Sequence, residues 1–157
     1  MKKKLAVITK AEMKTSDMRA QVLADIDKDG GFSLSVLDDA SQITDEDEVL
    51  VFGGDGTVLE VVRAVADKNI PLLCVNLGNL GFLAEYEKDV DSQSVISALK
   101  SSDLTERMLL CVKSSCGISE RALNEVVIRS LSSRPIYVDV YVDGKFVDSY
   151  HSDGAKI

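Results

Sequence analysis

The sequence contains no Trp, and aromatic residues make up only 5% of it. Rows of rings that stack single-stranded bases are therefore not expected. Positive charge is also scarce: 18 Lys and Arg stand against 26 Asp and Glu, a net charge of −8. That balance argues against a general nucleic-acid or anionic-membrane binder. The longest fairly apolar stretch, residues 71–84, is too short to cross a bilayer and contains Asn76 and Asn79. Lys2, Lys3 and Lys4 precede only a short apolar run, residues 5–8, so no secretory leader is expected. Three cysteines cannot all pair within one chain. Cys74 lies in an apolar run and reads as a buried thiol, while Cys111 and Cys116 lack CxxC spacing and a nearby His, which speaks against zinc. A soluble cytoplasmic protein is the simplest expectation.

What is present is ordinary globular composition, 45% hydrophobic and 28% charged over 157 residues, enough for one domain or one domain and part of another. Residues 5–9 read as a buried strand. Thr15, Ser16 and Asp17 then offer helix caps, Met18, Val22 and Ile26 recur on one helix face, and Gly30-Gly31 stops the helix. Residues 32–37 form a second candidate strand. The acidic run 45–48 reads as a solvated connection. Residues 49–52 make a compact apolar strand that Gly53-Gly54-Asp55-Gly56-Thr57 breaks. Val58, Leu59, Val61, Val62 and Val65 follow at helical spacing. Residues 71–75 are another buried strand, and Val95, Ile96, Ala98 and Leu99 suggest a further helix. Continuous apolar strands alternating with amphipathic helices predict a parallel sheet covered on both faces.

After about residue 102 the texture changes. Residues 109–112, 126–128 and 136–142 are strand-like, and the last runs through Asp143-Gly144 into Phe146-Val147, a hairpin signal. The expected division is an α/β nucleotide-binding domain over 1–104 and the start of a β-rich domain over 105–157.

The glycine loop at 53–57 carries the clearest chemistry. Glycine lets the backbone approach a ligand closely. The helix that follows offers unpaired N–H groups and the positive end of its dipole, so phosphate can be held without a lysine. The loop also ends a strand, where open α/β sheets bind ligands. It is not a P-loop, since GxxxxGK[ST] is absent, and Leu59 occupies the third glycine position of GxGxxG. A carboxylate among phosphate-binding amides is costly unless it accepts a proton or meets a metal, which makes Asp55 a candidate base for a hydroxyl nucleophile. The alternative is a glycine turn in which Asp55 caps the helix. A second loop, Asn76-Leu77-Gly78-Asn79-Leu80-Gly81-Phe82-Leu83, also follows a buried strand and could flank the same crevice. Taken alone it reads as a tight turn with Phe82 in the core. Asn124-Glu125 could read adenine edges or ribose hydroxyls, although alone the pair reads as surface residues. His151, the only histidine, reads as solvent-exposed.

Taken in order, Gly-Gly-Asp-Gly-Thr at 53–57, the 76–83 loop, Ala-Leu-Asn-Glu at 122–125 and Ser-Asp-Gly at 152–154 resemble the NAD kinase family over essentially the whole chain. The first motif is shared with diacylglycerol- and sphingosine-type lipid kinases, but their Gly-Thr-Gly-Asn-Asp-like second loop is absent. The resemblance implies a Rossmann-like α/β domain followed by a β-rich, β-sandwich-like domain. It implies phosphoryl transfer from ATP, or from polyphosphate in some members, to the adenosine ribose 2′-hydroxyl of NAD, giving NADP. It further implies a divalent metal, usually Mg²⁺, and a homo-oligomer, dimer or tetramer, with NAD and ATP as partners rather than nucleic acid or membrane. Under it Asp55 matches the proton acceptor. Gly53, Gly54, Gly56, Thr57 and Asn76 fall in the binding loops, and Phe82 matches an aromatic near the adenine end. Asn124, Glu125 and Asp153 match residues that contact the dinucleotide, and His151 stands where many relatives carry Arg. The family's next motif, Thr-Pro-Thr-Gly-Ser-Thr-Ala-Tyr, is expected just after Gly154, so the chain resembles the N-terminal portion of such a kinase, its β-rich domain incomplete. Two other readings are a lipid kinase and a non-catalytic NAD-binding fragment that needs a complementary segment.

Overall fold

The computed structural model of the chain describes residues 1–78, 81–101, 103–132 and 134–157. Asn79 and Leu80 of the second glycine loop, with Ser102 and Ser133, lie outside the described residues. The chain divides into two compact units, Met1–Arg107 and Met108–Ile157.

The first unit is an α/β layer structure. Strands β1 (Lys3–Thr9), β2 (Phe32–Leu37), β3 (Glu48–Phe52) and β4 (Leu72–Val75) are all parallel, in the order β2-β1-β3-β4. Helices α1 (Asp17–Asp29), α2 (Asp55–Val65) and α3 (Ser92–Lys100) connect or follow them. Ser16 caps α1 by accepting the Arg19 N–H, and Gly30 ends it in the left-handed region at φ 73°. Asp91 caps α3 by accepting the Ser94 N–H at 3.0 Å. On one face Leu5, Val7, Leu50, Phe52 and Val75 pack against Val22 and Ile26 of α1 and Val95, Ile96 and Leu99 of α3. Alternation sends Ala6, Ile8, Val49 and Val51 to the other face. This two-sided burial explains why β1 and β3 read as unbroken apolar runs.

The strand order has a consequence for binding. From β1 the chain steps outward to β2, and from β3 it steps the other way to β4. Right-handed crossovers then put α1 and α2 on opposite faces and open a crevice where β1 and β3 end side by side. There the Lys10 N–H donates to the Phe52 carbonyl at 3.0 Å.

One expectation is corrected. Glu48 does not belong to a solvated acidic run but opens β3, and its side chain is buried. Lys3 Nζ lies 2.6 Å from its carboxylate and also donates to the Leu99 carbonyl at 2.8 Å. Burial pushes the Glu48 carboxyl above its ordinary range, and Lys3 pulls against that rise. Cys74 is buried as expected, and its thiol is pushed far up by burial and by the neighbouring Glu85.

The second unit is β-rich. It contains β5 (Leu110–Lys113), β6 (Ser119–Ala122), β7 (Val127–Arg129), β8 (Ile136–Val142), β9 (Lys145–Ser152) and β10 (Gly154–Lys156). They pair as three two-stranded antiparallel ladders, β5-β6, β10-β7 and β8-β9. Asp143 and Gly144, at φ 50° and 75°, supply the two positive-φ residues of the β8–β9 turn. Among the described residues, every buried hydrophobic side chain lies in the first unit. None of the described helices is long and apolar enough to cross a membrane.

Candidate functional site

The first glycine loop is built by contact at both ends. Gly53 is buried and donates its N–H to the Val75 carbonyl at 3.1 Å. A Cβ at 53 would fall 2.6 Å from Thr57 Oγ1, so glycine there lets Thr57 fold back on the loop. Helix α2 begins inside the motif, at Asp55, with Gly54 as its N-cap and no side chain capping it. Thr57 and Val58 donate to the Gly54 carbonyl at 3.0 and 3.2 Å. The positive end of the helix therefore lies at residues 54–56, beside the crevice.

Asp55 is not the helix cap that the alternative reading made it. Its carboxylate turns away from its own helix to the second loop. The Phe82 N–H donates to Oδ1 at 3.2 Å and to Oδ2 at 3.1 Å, and the Leu83 N–H donates to Oδ1 at 3.1 Å. Backbone donors thus fix the orientation of the candidate base across 27 residues of sequence.

The second loop is closed at its neck. Glu85 and Tyr86 donate their N–H groups to the Cys74 carbonyl at 3.1 and 3.2 Å, and Asn76 donates its own to the Tyr86 carbonyl at 2.8 Å. Inside the neck Asn76 is fully buried. Its Oδ1 accepts the Gly78 N–H at 3.0 Å, and its Nδ2 donates to Glu87 at 3.1 Å. The resemblance puts Asn76 among the binding residues; here its side chain is internal and shapes the loop. Phe82 is not the core residue that the loop alone suggested: it is 89% exposed, and Leu83 takes the buried place instead. The structure thus brings Asp55 and Phe82 together, with an open aromatic ring next to the amide that holds the carboxylate.

The remaining predicted residues lie in the second unit. Asn124 and Glu125 are exposed and lead into β7, and Glu125 pairs with Lys156 at 2.8 Å. Asp153 is exposed between β9 and β10, and its carbonyl accepts the Ser130 N–H at 2.8 Å. Backbone bonds between Val126 and Ile157 extend the β7–β10 ladder, so Glu125 and Asp153 stand at its opposite ends. Gly154 is required where the ladder tightens, since a Cβ there would fall 2.2 Å from the Ile128 carbonyl oxygen. His151 is exposed and stacks on Tyr137, with ring centroids 4.4 Å apart. Cys111 and Cys116 are exposed thiols, and a hydrogen bond with Ser114 holds Cys116 below its ordinary range. Among the described residues, no three His, Cys, Asp or Glu side chains converge as a metal cage.

Sequence reasoning missed two parts of the site, Gly81 and the Leu83 N–H. A Gly-Phe-Leu run after a second strand end was the available signal, but nothing local shows that its amides meet Asp55.

A family profile described as the ATP-NAD kinase N-terminal domain matches residues 1–102. An NAD kinase from Agathobacter rectalis is 31% identical over 148 residues, covering 85% of this chain and 52% of the relative. An NAD kinase from Pseudomonas putida is 42% identical over 115 residues, covering 69% of this chain and 38% of the relative. Among solved structures, an NAD kinase from Archaeoglobus fulgidus in complex with ATP aligns with a TM-score of 0.80 at 22% identity, covering 96% of this chain and 58% of its own. Yeast NADH kinase complexed with NADH aligns with a TM-score of 0.75 at 20% identity, covering 99% of this chain and 57% of its own. These two likenesses are of fold. The chain spans about half or less of the length of the curated relatives it matches.

Proposed function

The chain belongs to the NAD kinase family, and from that premise we propose that it carries the acceptor-activating part of a phosphotransferase. The reaction is transfer of a phosphoryl group from ATP, or from polyphosphate, to the adenosine ribose 2′-hydroxyl of NAD, giving NADP. The observation that carries this reading is the placement of Asp55. It stands in the first turn of α2, beyond the carboxyl end of β3, with its carboxylate oriented by two backbone amides.

In the proposed step Asp55 accepts the 2′-hydroxyl proton as that oxygen attacks the terminal phosphorus in line. The bond from phosphorus to its bridging oxygen breaks, and the shortened donor leaves with that electron pair. The proton passes from Asp55 to solvent afterwards. The N-terminal amides of α2 at Gly54 and Gly56 favour an anionic group beside Asp55. The open ring of Phe82 suits stacking on adenine. Asn76 contributes by holding the second loop in shape. Asn124, Glu125, His151 and Asp153 are assigned to dinucleotide contacts on the family resemblance. The bound ATP and NADH named for the two solved relatives agree in class with a nucleotide donor and a dinucleotide acceptor.

Mg²⁺ is part of the same proposal. Such an ion would be held mainly by donor phosphates and water, as Mg²⁺ commonly is in phosphoryl-transfer sites. Asp55 is the one carboxylate on the first loop. When bound, the ion neutralises phosphate charge. A homo-oligomer, dimer or tetramer, is carried over from the resemblance. Three free thiols accord with a reducing, cytoplasmic setting.

The test is Asp55→Asn in the protein that carries this chain. It should fold and bind NAD, while NADP formation falls by about 10²–10⁴-fold. Turnover equal to wild type would sink the role of Asp55.

A further inference from the structure

The grip on Asp55 depends on an atom that is missing. An ideal Cβ at Gly81 would fall 2.6 Å from Asp55 Oδ1 and 3.3 Å from its Cγ. Its next neighbour, Asn76 Nδ2, lies at an ordinary 3.7 Å. The Asp55 carboxylate is thus the group that a side chain at 81 would displace.

Which partner would yield is set by anchoring. Leu83 is buried, and the buried Asn76 amide ties the loop at Gly78 and Glu87. Asp55 has only a short side chain with two rotatable bonds. A methyl group at 81 therefore turns the carboxylate out and separates Oδ1 from the Phe82 and Leu83 amides. In the native arrangement Oδ1 takes both N–H groups, and Oδ2 shares only the one from Phe82. Oδ2 keeps the greater unused acceptor capacity.

We propose that Gly81 is a positioning residue: by carrying no side chain it lets the Phe82 and Leu83 amides clamp Asp55 through Oδ1, leaving Oδ2 to take the substrate proton. The catalytic half of this statement rests on the kinase reading; the clamp itself does not.

Two measurements separate them. In ¹H–¹⁵N spectra of the 157-residue chain, the Phe82 and Leu83 amide protons, now bonded to a carboxylate, should move upfield in Asp55→Ala. Gly81→Ala should move them in the same direction, and Gly81→Ala combined with Asp55→Ala should add nothing further. Unmoved amides in Gly81→Ala would overturn the clamp. If Gly81→Ala alone fails to fold, the double variant should still fold as well as Asp55→Ala, since the colliding carboxylate is gone; failure of both would equally overturn it. In the protein that carries this chain, Gly81→Ala should lower kcat by about 10²-fold, the cost of a misplaced catalytic group, with KM for NAD unchanged. A rise in KM with kcat intact would overturn the positioning role. Wild-type protein that forms no NADP would refute the kinase reading, and with it the catalytic half, while the amide shifts would still decide the clamp.

Discussion

β3 and β8 are both apolar strands, and they end in opposite circumstances. Glu-Val-Leu-Val-Phe in β3 is buried at every position, whereas Ile-Tyr-Val-Asp-Val-Tyr-Val in β8 has no buried residue. β3 pairs on both edges, with β1 and β4, and lies in a sheet with helices packed on it; β8 pairs only with β9. Burial is thus a property of layers and neighbours, not of a strand's own hydrophobicity. The proton-accepting candidate stands on the layered unit, where Asp55 follows a fully buried strand. That is where a side chain can be held to a fixed geometry.

The largest test of this contrast is Leu50→Ala. Leu50 is fully buried at the centre of β3, and its truncation should cost about 3–4 kcal/mol in urea unfolding. A cost below about 1 kcal/mol would mean that the first unit is loosely packed.

Next comes Lys3→Met, which should cost about 2 kcal/mol at pH 7 by leaving the buried Glu48 carboxylate without its partner. This cost has a sign in pH. The folded pKa of Glu48 lies above its ordinary 4.5, so its contribution favours the fold most below 4.5 and is lost as pH rises through the folded value. Lys3 is the group that limits that loss. The penalty of Lys3→Met should therefore shrink on going from neutral to acid pH, and an equal penalty throughout would contradict the account.

The smallest effect is expected from Phe146→Ser. Phe146 is 58% exposed and meets Tyr141 edge to face, with centroids 5.6 Å apart. Its replacement should change stability by less than about 0.5 kcal/mol. A loss comparable with that of Leu50→Ala would erase the contrast and mean that this ring is covered in solution.

Much of this was legible in the chain itself, for identifiable reasons. β1, β3 and β4 could be read because two-sided burial demands continuous apolar runs, and the β8–β9 turn because Asp143-Gly144 is favoured by positive φ at two successive positions. β6 escaped, since Ser-Glu-Arg-Ala has no apolar pattern and is a strand only through its pairing with β5. Glu48 was misread because four consecutive acids look solvated, and only the distant Lys3 and Leu99 show otherwise. The two glycine loops were recognised as motifs. Their joining through Asp55 was hidden because amide donors carry no residue signature: any residue but proline supplies one.

That anonymity has an evolutionary side. Phe82 takes part through two chemically separate groups, a ring turned to solvent and an N–H turned to Asp55. On the proposed reading, mutation at this codon can exchange the ring, and with it the preferred ligand face, while the inherited N–H goes on orienting the acid. Ligand preference and proton chemistry can then drift independently along a lineage, with proline as the one replacement that ends both at once.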